Sequence, residues 1–201
     1  MPHQFRAGLD RTRRAQYDVL VMAIRCSRVF TEEQFGEEPA TVLLDQEKIV
    51  GVETGHVELD ESLQVAEYPT ATVLPGLIDS HVHLVADSEM GALDRVPGLG
   101  DELDAVITEG LWRQLAAGVV TTVRDLGDLR YAVVNRRDVQ RAGRTREPEP
   151  TIVASGPPLA RVGGHCHFLG GEIANRDQIS AAMRQRVQRG VDVVKVMASG
   201  A

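Results

Sequence analysis

The sequence predicts an α/β protein in which the first four βα units of a larger repeating fold follow a small all-β segment. Two patterns carry this reading. From Val73 onward, β-branched runs alternate with stretches whose apolar residues recur at spacings of three and four, the signatures of buried strands and of helices with one apolar face. Before Val73 the apolar runs are short, and polar or Gly-containing turns separate them.

Residues 1–16 are polar and Arg-rich and read as a disordered tail. Residues 17–72 hold strand-like runs at Val19 to Ile24, Thr41 to Leu44 and Lys48 to Val52, which predict a small β subdomain. Residues 73–201 hold the βα units. The strand Val73 to Ile78 leads through a Gly-containing acidic loop to a helix with Leu103, Val106, Ile107, Leu111 and Leu115 on one face, stopped by Gly118. Val119 to Val123 is the second strand, and Arg124-Asp125-Leu126-Gly127 leads from it into a helix carrying Leu129, Val133 and Val139. Gly143, Pro148 and Pro150 mark the exit of that helix. Thr151 to Ala154 is the third strand, followed by a long Gly-rich loop to about Gly171. The last helix sets Ile179, Met183 and Val187 on one face and ends at Gly190, before a fourth strand at Val191 to Met197. Strands recurring at intervals of about 30 to 45 residues suit parallel βαβ crossovers.

Composition narrows the function classes. With 22 Lys and Arg against 29 Asp and Glu the formal charge is −7, and no basic face is evident, so a nucleic-acid partner is not expected. No run of about 18 apolar residues suggests a membrane span, and the N-terminus lacks an apolar signal core. Two cysteines, Cys26 and Cys166, make no disulfide framework, which points to a reducing, cytoplasmic setting.

The most informative segment is the run from Val73 to Leu84, which closes on His81 and His83. Side chains two apart on a strand point to the same side, so both imidazoles are expected to face one space. Neutral imidazole is a common zinc ligand, and a pair at a strand end leaves coordination positions open for water and substrate.

Leu74 to Leu84 resembles the first-strand signature of the amidohydrolase superfamily. Gly118 to Gly127 is similar to the second-strand segment of its imidazolonepropionase-like and prolidase-like members, and Gly190 to Gly200 to the fourth; Gly163-Gly164-His165 completes the match in family order. The resemblance implies a (β/α)8 barrel of the TIM type, flanked by a β-sandwich-type subdomain, and metal-dependent hydrolysis of carbon–nitrogen bonds. A whole barrel takes about 250 residues, so this chain is expected to be a truncated N-terminal portion, inactive alone and lacking a complete catalytic set. The implied cofactor is a divalent metal, zinc, with two ions in the full-length enzyme, and the implied partner is a small-molecule or dipeptide substrate, in a homo-oligomer of the full-length protein.

Lys195 interrupts Val-Val-Lys-Val-Met, a run otherwise suited to a core. The resemblance implies that it is carboxylated and bridges two metals; other members keep this lysine unmodified, and a buried stem with the head reaching solvent would also fit. His165 is implied to face substrate, the alternative being a hydrogen bond that stabilises its loop; His167 and Cys166 carry weaker signals. Asp79 and Asp125 could orient a ligand or cap the next turn, and the second reading is favoured for Asp125. The Gly-rich loop from Gly163 to Gly171 matches no nucleotide-binding pattern. A non-catalytic remnant or assembly partner that retains half a barrel is the alternative to an enzyme.

Overall fold

The computed structural model describes residues 22–31, 34–46, 48–117 and 119–198; the expected N-terminal tail, the start of the first strand and Gly118 lie outside them. The chain is mixed α/β and divides between Pro75 and Gly76 into two compact units.

The first unit is a sheet built on β1 (Met22–Thr31). β2 (Gln34–Phe35) folds back on the end of β1, and Phe30 and Phe35 meet edge to face there. β3 (Ala40–Asp45) pairs antiparallel with β1 and with β4 (Lys48–Thr54). On its other side β1 pairs parallel with β5 (Gln64–Val73), a strand that the sequence reading did not single out. Its ladder shifts register between Cys26 and Arg28, opposite Pro69, which has no N–H to give. Ala23, Cys26, Ala40, Val42 and Leu43 are buried in this unit. The described residues of this unit form one sheet, so a second sandwich layer is not among them.

The second unit is built on three parallel strands in chain order, β6 (Leu77–Val82), β7 (Val120–Asp125) and β8 (Thr151–Ala154). A single helical turn, α1 (Ala92–Arg95), precedes α2 (Leu103–Ala116). The expected stripe on α2 turns inward, with Ile107 and Leu111 fully buried. α3 (Ala132–Arg141) adds Val133 and Val134, and the core closes over Val123, Ile152 and Ala154 of the sheet. Short strands β9 (Ala160–Arg161) and β10 (Glu172–Ile173) pair parallel across the Gly-rich loop. α4 (Arg176–Gln188) is capped by the Asn175 side chain, which accepts from Gln178 N–H at 3.0 Å. Its apolar stripe is where the sequence places it, yet among the described residues it stays exposed: Val187 is 71% exposed and Ile179 42%. No helix among the described residues is long and apolar enough to cross a membrane.

The expected fourth strand is corrected by the structure. Val191 to Met197 forms no ladder; it meets the preceding chain through Asp192 N–H to the Ala154 carbonyl and through a bridge pairing Leu159 with Val196. The cause lies opposite, in Pro157 and Pro158, which carry no N–H and interrupt the edge that a continuous strand would need. The Asp192 side chain does part of the missing work. Its carboxylate accepts from Ala154 N–H at 2.9 Å and from Arg137 and Arg141 at 2.8 Å each. Burial alone would raise that carboxyl, but these donors outweigh it and hold the group below the ordinary carboxylate value.

Candidate functional site

The two histidines straddle the end of β6, His81 inside the strand and His83 just beyond it. β6 carries one residue more than β7 between Asp79 and Val82, a bulge that re-aims side chains, and Arg124 Nε satisfies its Ser80 carbonyl at 2.8 Å. The rings nevertheless stand with centroids 5.5 Å apart and planes at 59°.

His83 is half-buried, and its Nδ1 lies 3.0 Å from the Gly127 carbonyl. A carbonyl can only accept, so Nδ1 carries the proton and the lone pair is left on Nε2. This approach leaves little room for a side chain: a Cβ on residue 127 would come within 3.1–3.2 Å of the imidazole. His81 is held below the usual imidazole value by desolvation, by the neighbouring charges of Lys195, His83 and Arg124, and against the pull of Asp79. A neutral His81 and an Nε2 lone pair on His83 are the states in which imidazole binds a metal.

Lys195 is half-buried, and its charge acts on both His81 and the buried Cys166 thiol, which burial itself pushes up. His83 and Lys195 therefore both lie within electrostatic reach of His81. His165 does not join them through any hydrogen bond among the described residues; it is exposed on the loop after β9. The loop-stabilising bond comes from His167, whose Nδ1 lies 3.0 Å from the Gly164 carbonyl. Among the described residues no three His, Cys, Asp or Glu side chains form a group able to hold a metal. The donor set present is the histidine pair with Lys195 nearby.

Asp79 accepts from His81 N–H at 3.1 Å and from Gln114 Nε2 at 3.2 Å, which caps its own turn and ties it to α2. Asp125 is fully buried and accepts from two backbone amides, Leu84 N–H at 2.8 Å and Gly127 N–H at 3.1 Å. Sequence reasoning did not foresee Gly127 as a partner of His83, although Asp-x-Gly after a strand is a turn signal that could have directed attention to it. Asp128, also fully buried, accepts from the amides of Tyr131, Val133 and Val134 and so caps α3.

These two acids set a pH dependence. Desolvation pushes Asp125 up to about 6 despite its two amide donors, and desolvation with the neighbouring Asp125 charge pushes Asp128 up to about 7. Both therefore hold protons in the folded chain at pH values where the unfolded chain has lost them. Folding stability is expected to fall as pH rises from about 5 to 7.5, by an amount on the order of a few kcal/mol. His81, lowered and exposed, works in the opposite direction with less weight. Thermal unfolding across this range checks it; a midpoint that rises with pH would contradict the assignment.

No protein-family model and no curated protein matches the sequence. Solved structures do match its fold. A Xaa-Pro dipeptidase with methionine bound in its active site matches with a TM-score of 0.74 at 23% identity, covering 90% of this chain and 47% of its own. An amidohydrolase matches with 0.70 at 25% identity, and a prolidase complexed with N-methylphosphonate-L-proline with 0.67 at 25%, each covering 90% of this chain and 47% of its own. The chain is amidohydrolase-like. As an amidohydrolase-like chain it spans about half the length of the structures that it matches, and those include hydrolases of dipeptides.

Proposed function

We propose that this chain contributes the first metal-binding elements of an amidohydrolase that cleaves carbon–nitrogen bonds in amides, dipeptides or cyclic amides. The domain organisation proposed with it is a β subdomain over residues 17–72 and the first half of a (β/α) barrel over residues 73–201. In this reading His81 and His83 hold a divalent ion, zinc, Lys195 bridges to a second ion as its carbamate, and His165 faces the substrate. The observation that supports it most is the state of the pair: rings 5.5 Å apart, with His83 Nε2 left free by the Gly127 carbonyl.

An ion held there would supply acidification of water and polarisation of the scissile carbonyl. The chain's own residues do the preparatory work. Asp79 and Arg124 fix the bulge that carries His81, and Gly127 orients the His83 ring. Lys195, half-buried, is held by its backbone, its carbonyl accepting from Leu159 N–H at 2.8 Å. The remaining proton-transfer groups are proposed to come from elsewhere in the whole protein, which is proposed to be a cytoplasmic homo-oligomer. The absence of a three-residue donor group among the described residues favours one second reading, a non-catalytic remnant that assembles with another chain.

The test is to measure bound zinc and the hydrolysis of dipeptides and lactams, for these 201 residues and for a longer chain that supplies further histidines and an aspartate. Zinc binding by both, with turnover in the longer chain alone, is the expected result. Lys195→Ala in the active chain should lose activity and regain part of it with short carboxylic acids. Failure to bind zinc in either form would reject the metal site, and zinc binding without turnover in the longer chain would favour the remnant.

A further inference from the structure

Two turns at the ends of neighbouring strands converge on one carboxylate. After β6 the chain turns through His83 and Leu84; after β7 it turns through Leu126 and Gly127. Oδ1 of Asp125 accepts from Gly127 N–H at 3.1 Å, an ordinary cap two residues along. Oδ2 reaches 41 residues back and accepts from Leu84 N–H at 2.8 Å. Capping its own turn would require the first bond alone. The second ties the residue next to His83 to the residue whose carbonyl meets the His83 ring. Leu126 N–H adds a parallel tie to the Val82 carbonyl at 3.0 Å.

We propose that Asp125 is the positioning residue of His83: by gripping the Leu84 and Gly127 amides together, it holds the Gly127 carbonyl against Nδ1 and thereby keeps Nε2 as the free, ligating nitrogen. The functional meaning of this rests on the reading of His83 as a metal ligand. The tautomer itself does not, because it is a property of the chain without metal. Geometry makes the pathway short. The grip acts on backbone immediately beside the ring and beside its acceptor, in a fully buried position where no water competes for the carboxylate. In the family reading a ligand histidine needs its second nitrogen engaged; here that partner is a main-chain carbonyl, and Asp125 is what fixes that carbonyl in place.

The experiment labels the histidine ring nitrogens of the whole 201-residue chain and reads tautomers by proton–nitrogen correlation NMR without metal, then measures zinc affinity by chelator competition. In the wild type His83 should carry its proton on Nδ1. Asp125→Asn replaces one acceptor oxygen with an NH2 that faces an amide donor, so one of the two grips is lost. His83 should then shift towards the Nε2-protonated form, and zinc affinity should fall about 10- to 100-fold while the circular dichroism spectrum and the His56 tautomer stay unchanged. A wild-type His83 protonated on Nε2 would overturn the proposal by itself, whatever the variant does. So would a folded Asp125→Asn chain that keeps both the wild-type tautomer and zinc affinity within about twofold, against the 10- to 100-fold loss expected. A wild type with the predicted tautomer but no zinc binding would reject the metal reading while leaving the positioning role standing.

Discussion

His83→Ala should abolish measurable zinc binding to this chain, and His81→Ala should do the same. Losing a group that merely supports a ligand costs about 10- to 100-fold in metal affinity, so losing one of two imidazole ligands should cost more than about 100-fold. The two rings stand 5.5 Å apart and no third His, Cys, Asp or Glu completes a cluster with them among the described residues, so nothing nearby can take over. His56→Ala, an exposed histidine in the first unit, should leave binding unchanged and so controls for surface adsorption. Equal zinc content in all three variants, measured after dialysis by elemental analysis, would remove the pair from the site.

The second large effect concerns stability. Gly171 packs against the main chain at the turn where β8 gives way to β9: a Cβ added there would lie 1.8 Å from the Pro158 carbonyl oxygen and 2.7 Å from its carbon. Backbone cannot swing aside as a side-chain end can. Gly171 also accepts from Ala160 N–H at 3.0 Å, and it immediately precedes β10, which pairs with β9. Gly171→Ala should therefore destabilise by about 3 kcal/mol or more, the range of severe overpacking. For a chain of this length that lowers the unfolding midpoint by roughly 10 °C. Gly98→Ala, with no atom within 4 Å of the added Cβ, is the matched control and should stay close to wild type. A Gly171→Ala midpoint equal to that of Gly98→Ala would show that the loop has room that the structure does not give it.

The second unit was largely legible because its signals are periodic. β8 matches its expected span Thr151 to Ala154, and the stripe on α2 buries Ile107 and Leu111. What escaped was set by contacts between distant residues. β5 contains Pro69 and polar residues that weaken any strand signal, and its pairing with β1 is what makes it a strand. The run Val191 to Met197 has the composition of a strand, but the prolines opposite deny it a ladder, and no local pattern reports what lies opposite. The histidine pair shows the same division. The motif identified the residues as neighbours, and what it did not show is the bulge beside His81 and the carbonyl, 44 residues away in sequence, that meets the His83 ring. Asp125 was read as a turn cap, which it is, but its reach to Leu84 depends on two strands lying side by side.

The break opposite Pro157 and Pro158 also shapes how Lys195 is suspended. Its segment is moored at two places, Asp192 on one side and the Leu159 bridge on the other, with the amides of Asp192 and Met197 engaged there. The amides of Val193, Val194, Lys195 and Val196 have no main-chain acceptor among the described residues. In deuterated solvent the moorings should exchange slowly and the span between them quickly, a pattern opposite to the even protection of a paired strand. Lys195 thus sits at the second mooring, its carbonyl tied to Leu159 N–H at 2.8 Å, and the loosely held part of the segment is Val193 and Val194 just ahead of it.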